Sequence, residues 1–204
     1  MAYIKKVFQN IIKHNKNIQN RINITINNYK VYSHLYSSIE IEIIPTSYKY
    51  GKFINIEKSK EKYYHTYFNI NKEEIRRNYM YEDKEIKVIK IIINYQVESF
   101  KELFCDCTCI ESIHFKKFYR NNITNMNNMF SGCSSLKELN LFNFNTINVT
   151  DMQGMFEYCS LLKELNLFSF NTDSVYYMGN MFYGCSSLEV LNLSSFNTIN
   201  VTDM

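Results

Sequence analysis

The chain has 204 residues and a mass of 24.4 kDa, of which 46% of residues are apolar and 21% are charged. This composition suits one ordinary domain or two small ones, and it excludes a wholly disordered chain. The net charge of +3 is too small to indicate a nucleic-acid or membrane partner.

The distribution of charge divides the chain near Ser99. Residues 1–98 contain 17 lysines and arginines against 10 acidic residues, whereas residues 99–204 contain 6 against 10. All six cysteines also lie after residue 100. We therefore predict a small β-rich N-terminal or capping domain over residues 1–98 and a second domain over residues 99–204.

In the first half, several short stretches predict secondary structure. Residues 3–12 place apolar side chains at helical spacing, and residues 22–26 alternate as in a hairpin strand. Ile39–Ile43 and Glu85–Ile93 predict two more strands, and the charged residues 57–77 predict a partly helical segment. No stretch approaches the roughly 20 apolar residues of a membrane-spanning helix. An export signal is not visible either.

The second half is a repeat with a period of 26 residues. The segment FNTINVT occurs at Phe144–Thr150 and again at Phe196–Thr202. The positions that recur at this period include Cys133, Cys159 and Cys185, Phe130, Phe156 and Phe182, and Leu141, Leu167 and Leu193. The register predicts four units over residues 99–204, of which the first is degraded.

Each unit combines a predicted helix with a predicted strand. Within residues 149–162, an i, i+3, i+4, i+7 stripe is formed by Met152, Met155, Phe156 and Cys159. Thr150 is placed as the helix N-cap, and Gln153 completes a capping box. The pattern L-x-x-L-x-L then predicts a short strand around Leu139–Leu141 and its equivalents. We expect Leu139, Leu165 and Leu191 to stack in one core with Met155 and Phe156.

The unit V-T-D-M-x-x-M-F-x-x-C-S-x-L-x-x-L-N-L-x-x-F-N-T resembles the BspA-like leucine-rich repeat surface proteins. The resemblance covers roughly residues 100–204. With the period, it implies an α/β repeat fold, a leucine-rich-repeat solenoid of 26-residue strand-plus-short-helix units, after a small β-rich α+β domain. It also implies a non-catalytic module used in protein recognition or adhesion at a cell surface. Without a visible signal or anchor, a cytoplasmic location is equally open.

The predicted binding residues are those that point outward from the repeat strands. They are Glu138, Asn140 and Phe142, then Glu164, Asn166 and Phe168, then Val190, Asn192 and Ser194, with Ser112, His114 and Lys116 in the first unit. Phe142 and Phe168 would form adjacent exposed aromatics, which are typical of binding surfaces. The recurring asparagine is either part of that surface or a feature of the repeat without a ligand.

No motif indicates catalysis, a cofactor or a metal, so we predict a protein that is not an enzyme and has no small-molecule substrate. The run Cys105, Cys107 and Cys109 lacks the second cysteine pair of a zinc site. We expect the repeat cysteines to be buried and reduced. His14, His34, His65 and His114 stand in no recognisable catalytic spacing.

The sequence does not identify a protein partner, and two other kinds of contact stay open. In the first, the repeats are a structural scaffold, and the basic residues 1–98 contact nucleic acid or anionic lipid. The second concerns residues 189–204, which keep the repeat pattern to the end of the chain. They predict an unprotected edge strand at residues 190–194, which implies either a longer repeat protein or self-association.

Overall fold

A computed structural model describes residues 37–71, 73–82 and 85–204. The predicted helix at residues 3–12, the predicted hairpin at residues 22–26, His14 and His34 lie outside these residues. Within the described ranges the secondary structure consists of nine short strands and one 3₁₀-helix, Lys58–Tyr63. The strands are β1 (Ile39–Pro45), β2 (Gly51–Lys52), β3 (Tyr64–Phe68), β4 (Tyr79–Met80), β5 (Ile89–Ile93), β6 (Ile110–Lys117), β7 (Glu138–Asn140), β8 (Glu164–Asn166) and β9 (Val190–Asn192).

Five of the strands form one mixed sheet in the order β3-β5-β1-β6-β7. Its pairs are antiparallel except β6–β7, which is parallel, and β8–β9 is a separate parallel pair. Strands β2 and β4 form a small antiparallel pair. The large sheet therefore contains strands from both sides of Ser99, and the division of the chain at that residue stays a prediction.

The strands of the first half follow from alternating burial. In β1, Ile39, Ile41 and Ile43 are fully buried, while Glu40 and Glu42 face outward beside lysines of β5 and β6. In β5, every second residue is a buried isoleucine. The strands predicted at Ile39–Ile43 and within Glu85–Ile93 are thus confirmed. The segment 57–77 is helical only over Lys58–Tyr63 and then becomes β3.

The repeats lie side by side in parallel. Single β-bridges join Ser99, Asn125, Asp151, Tyr177 and Asp203, one residue per unit. Phenylalanine rings stack in phase with these bridges: Phe104–Phe130 and Phe130–Phe156 have centroid separations of 5.7 Å, and Phe156–Phe182 has one of 5.8 Å. The three short strands β7, β8 and β9 lie at the predicted positions.

The predicted fold class is wrong. The expectation was an α/β leucine-rich-repeat solenoid of strand-plus-short-helix units, but the described residues contain no α-helix and form mainly short strands and turns. Residues 149–162, where a helix was predicted, are a succession of turns. The fold is β-rich, with mixed sheets.

The backbone hydrogen bonds explain why no helix forms in the repeat. In the third unit, N–H···O bonds of 2.7–3.0 Å run to the next unit from Met152 to Tyr177, Gly154 to Gly179, Phe156 to Met181 and Tyr158 to Tyr183. The N–H groups of Met155 and Glu157 donate to the carbonyls three residues before them, at 3.2 and 3.0 Å. An α-helix needs each N–H for the carbonyl four residues earlier, so these bonds exclude it.

Two residues per unit also adopt left-handed backbone conformations, which interrupt a right-handed helix. The first position is occupied by Glu102, Asn128, Gly154 and Asn180, with φ between 52° and 59°. The second is occupied by Asp106, Gly132, Tyr158 and Gly184, with φ between 56° and 74°. The predicted cap is likewise absent: the Thr150 hydroxyl donates to the Thr124 carbonyl at 3.2 Å, and the Gln153 N–H donates to Asp151 Oδ1 at 3.0 Å.

Asn55 closes the first unit of the repeat. In later units, carbonyls such as those of Met129 and Ser131 accept N–H groups of the preceding unit. Their equivalents in the first unit are Leu103 and Cys105. The Asn55 N–H donates to the Leu103 carbonyl at 2.7 Å, and its side-chain amide donates to the Cys105 carbonyl at 2.7 Å. One asparagine therefore supplies the two donors that a preceding unit would supply.

We expect Asn55→Ala to lower the free energy of unfolding by about 1–3 kcal/mol, because it leaves acceptor carbonyls without their donor. The amide also donates to the Glu102 carbonyl at 2.8 Å. Chemical denaturation of both chains measures the effect. Asn55→Asp is the control, because it keeps the side-chain shape but replaces the donor by oxygens that repel the carbonyls, so it should be at least as damaging. Equal stability of all three chains would contradict this role.

Candidate functional site

The strands β7, β8 and β9 present one set of side chains to solvent, which we call the outer face: Glu138, Asn140, Phe142, Glu164, Asn166, Phe168, Val190, Asn192 and Ser194. All of these are exposed except Asn192, which is half-buried. The leucines that alternate with them point inward, and Leu165 is 1% exposed and Leu167 fully buried. Alternation along the strand therefore separates this face from the core.

The stack of core leucines is less continuous than predicted. Leu165 lies in the same buried cluster as Met155 and Phe156. Leu139 is half-buried and packs against this cluster. Leu191, at the same position of the fourth unit, is 38% exposed. The fourth unit covers its own leucine less than the second and third units do.

The first unit departs from the predicted face. Ser112 is only 3% exposed, so its prediction as a surface residue is wrong. Lys116 is exposed but is tied to Glu42 by an ion pair of 3.2 Å. His114 is half-buried and lies in register between Glu42 of β1 and Asn140 of β7. The sequence predicted β1 as a strand but did not reveal its pairing with β6, which places acidic side chains beside these positions.

Phe142 and Phe168 form an exposed aromatic pair. Their side chains are 63% and 44% exposed, and their ring centroids lie 5.5 Å apart. Buried aromatic ladders lie elsewhere in the repeat, whereas this pair faces solvent. It is the strongest apolar feature of the outer face.

The asparagine column has a structural role. The side-chain oxygens of Asn140, Asn166 and Asn192 accept the N–H of the residue two positions later, at 3.0–3.2 Å. This Asx turn ends each strand and explains why asparagine recurs at this position. The oxygen is thereby engaged, and within the described residues no bond from the three Nδ2 groups is found. The column therefore offers oriented amide donors.

Glu138 and Glu164 differ from three glutamates of the neighbouring strands β1 and β6. Glu40, Glu42 and Glu111 each pair with a lysine at 3.1–3.6 Å. Among the residues that the structure describes, Glu138 and Glu164 form no such pair. Lys137, the neighbour of Glu138 in the chain, is bound to Glu111 at 3.1 Å.

The repeat cysteines are buried hydrogen-bond donors. The thiols of Cys133, Cys159 and Cys185 donate to the carbonyls of Phe104, Phe130 and Phe156 at 3.0–3.2 Å, each 29 positions earlier in the chain. All six cysteines are free thiols. Burial raises the pKa of the Cys133 and Cys159 thiols well above the usual value, so these groups stay neutral. Their chemistry is that of core residues.

No group of side chains that could hold a metal ion, and no membrane-spanning helix, is found in the part of the chain that the structure describes. Cys105, Cys107 and Cys109 do not gather with other ligands, and no cluster of three or more histidine, cysteine or acidic side chains occurs there. Cys105 is half-buried. This burial, and in second place the neighbouring carboxylate of Asp106, raise the pKa of the Cys105 thiol to about 11. None of the helical segments in these ranges has the length and hydropathy needed to cross a bilayer.

A comparison with protein families decides the classification of the repeat. The family described as "Mycoplasma protein of unknown function, DUF285" matches residues 98–204. The chain belongs to this family. The DUF285 match covers the whole of the predicted repeat region. No curated protein and no solved structure is significantly similar to the chain.

Membership of the DUF285 family corrects the resemblance drawn from the sequence. The repeat does not belong to the BspA-like leucine-rich repeat surface proteins, because the matching family is DUF285 and the fold lacks the helices of an α/β repeat. The cell-surface display and adhesion that the resemblance implied lose their basis with it. The outer face described above rests on geometry and is unaffected.

Proposed function

We propose that this protein is a non-catalytic module that binds another protein through the outer face. The observation that carries the proposal is the exposed pair Phe142 and Phe168. Exposing two neighbouring aromatic rings to water is energetically unfavourable in the unbound protein. Aromatic side chains are also enriched at protein–protein interfaces. The face is an open surface rather than a cleft, which suits recognition of a protein.

A comparison between the units shows that the fold does not need these rings. In the fourth unit the same position is occupied by Ser194, whose N–H forms the same bond to Asn192 that Phe142 and Phe168 form to their asparagines. Two core positions, by contrast, keep the same residue in all four units: phenylalanine at the position of Phe130 and cysteine at that of Cys133. The rings are therefore dispensable for folding.

We expect the double variant Phe142→Ser/Phe168→Ser to keep its stability and lose partner binding. The free energy of unfolding should change by less than about 0.5 kcal/mol, because both rings are exposed and serine is native at this position. Affinity for a partner should fall about 30-fold or more, the effect of removing central aromatic residues. Proteins retained by the immobilised native chain, but not by the variant, identify the partner.

The control variant is Tyr48→Ser, which removes a ring that is 65% exposed and lies outside the outer face. Its set of retained proteins should equal that of the native chain. If the double variant unfolds, the two rings belong to the core and the proposal fails. If it retains the same proteins as the native chain, the outer face is not the binding surface.

Self-association through β9 is a further proposal about partners. Val190 and Leu191 are 54% and 38% exposed, and β9 pairs only with β8 among the described strands. An apolar strand with a free edge can pair with a second chain. Sedimentation of the 204-residue chain should then show a mass that rises with concentration. A constant monomer mass at high concentration would contradict it.

A further inference from the structure

The outer face arranges three kinds of side chain in rows that cross neighbouring repeats. The first row is acidic, with Glu138 and Glu164. The second row consists of the amide donors of Asn140 and Asn166, and the third consists of Phe142 and Phe168. Glu138 and Asn140 are two residues apart on β7, and Glu164 and Asn166 are two residues apart on β8. Each phenylalanine follows two residues later, in the turn that ends the strand, so the three rows have a fixed order.

The acidic row is electrostatically unbalanced. Glu138 and Glu164 occupy the same position in adjacent units, on strands β7 and β8 that are not paired with each other, and two like charges at neighbouring positions repel. Two glutamates of the neighbouring strands β1 and β6 are balanced by lysines: Glu42 by Lys116 at 3.2 Å and Glu111 by Lys137 at 3.1 Å. In the fourth unit the position is held by Val190, so the fold does not need an acid there.

The amide row faces outward as donors, because its oxygens are engaged by the backbone. A ligand at this row therefore needs an acceptor, such as a carbonyl oxygen. The aromatic row needs an apolar group, and its rings are 5.5 Å apart. Taken together, the rows require a cation, an acceptor and an apolar side chain in that order.

We propose that the outer face binds an extended segment of another protein in which a lysine or arginine lies four residues from an apolar side chain. Four residues of extended chain span at most about 13 Å, the largest separation that Glu138 and Phe142 allow along their own chain. The cation pairs with Glu138 and Glu164, the segment's backbone carbonyl accepts from the asparagine amides, and the apolar side chain packs on the two rings. This inference rests on the proposed protein-binding function and specifies the chemistry of the partner.

Other ligands fit the face less well. Nucleic acid would bring phosphate groups next to two unpaired carboxylates, which repel them. Small molecules prefer enclosed cavities, and three cavities of about 450–480 Å³ are lined by residues between Ile44 and Leu103 without any residue of the outer face. An extended peptide can cover an open surface of this kind.

The test is a selection of displayed random peptides on the full chain, repeated on Phe142→Ser/Phe168→Ser to remove peptides that bind elsewhere. Peptides that need the two rings should be enriched in lysine or arginine four positions from an apolar residue. For a synthetic peptide of this pattern, Glu138→Gln/Glu164→Gln should weaken binding about fivefold to tenfold and flatten its dependence on salt. The control Glu98→Gln/Glu102→Gln removes the same charge from two exposed residues outside the outer face and should leave binding unchanged.

The outcomes separate this inference from the proposed function. Ring-dependent peptides without an excess of basic residues, or a glutamine variant that binds as the native chain does, would overturn the cationic partner and leave the protein-binding face intact. A selection that yields no ring-dependent peptide would overturn both. Enrichment of acidic peptides would show that the acidic row does not contact the ligand.

Discussion

Leu165→Ala is expected to lower the free energy of unfolding by about 2–5 kcal/mol, the range for a buried leucine truncated to alanine. Leu165 is 1% exposed and lies between the leucines of the second and fourth units, in the same cluster as Met155 and Phe156. Removing its side chain leaves a cavity that the stacked backbone on either side cannot close. Urea denaturation of the native chain and the variant measures the loss, and the dependence of the free energy of unfolding on urea concentration is compared between the two.

The repeat supplies a matched control in Leu191→Ala. The substitution is the same, at the same position of the next unit, but Leu191 is 38% exposed. Its loss should cost less than about 1 kcal/mol, since little apolar area returns to water. Equal costs at the two positions would mean that the fourth unit is as well covered as the third, contrary to the structure.

Phe156→Ala is expected to cost about 3–5 kcal/mol, the largest effect of a single substitution in the repeat. The Phe156 ring is fully buried and stacks on Phe130 at 5.7 Å and on Phe182 at 5.8 Å, with interplanar angles of 4° and 7°. The variant loses the buried area of the Phe156 ring, and Phe130 and Phe182 each lose one stacking partner. Thermal and urea unfolding of the two chains measure the difference.

Phe182→Ala serves as the comparison for Phe156. Phe182 is half-buried and stacks on Phe156 alone among the described rings, so its truncation should cost clearly less. The order of the two effects is the sensitive observable, because the substitutions are chemically identical. A larger loss at Phe182 than at Phe156 would show that the ladder of rings is not the central support of the repeat.

The period of the repeat and its strands could be predicted from sequence, whereas its helix could not. Met152, Met155, Phe156 and Cys159 have helical spacing, but all four are also buried in a run of turns. Both structures bring residues three and four apart to one side, so periodicity does not separate them. The two structures differ in the acceptors of the Gly154 and Tyr158 N–H groups, which here donate to carbonyls of the next unit.

One sequence signal against the helix was available. Gly154 lies in the middle of the predicted helix, and its equivalents in other units are Asn128 and Asn180, residue types that tolerate left-handed backbone. Asn128 with Gly132 and Asn180 with Gly184 place two such residues four positions apart in the second and fourth units, which predicts repeated turns better than a helix end. At Gly154 a Cβ would also clash with Asn128 Oδ1 of the preceding unit, so the Asn128 side chain would have to move.

The outer face could be predicted only in part. Alternation within β7 and β8 places Glu138, Asn140 and Phe142 on one side, and the structure has these three exposed. The engagement of the asparagine oxygen depends on a local turn that strand alternation does not describe. The burial of Ser112 depends on its pairing with strand β1, which lies far earlier in the sequence. The closing role of Asn55 arises from a contact with a segment about fifty residues later, which no local pattern reveals.

The bonds between units have a consequence for how this chain can change over evolution. Each unit presents N–H donors and carbonyl acceptors to the units on either side of it, at spacings of 25 to 27 residues. Recombination that duplicates or deletes one complete unit therefore rejoins donors with acceptors, whereas an insertion of any other length misaligns every ring and strand beyond it. The near-identical segments at Phe144–Thr150 and Phe196–Thr202 favour such in-register exchange. The number of units, and with it the width of the outer face, can vary while the contacts that stabilise each unit stay the same.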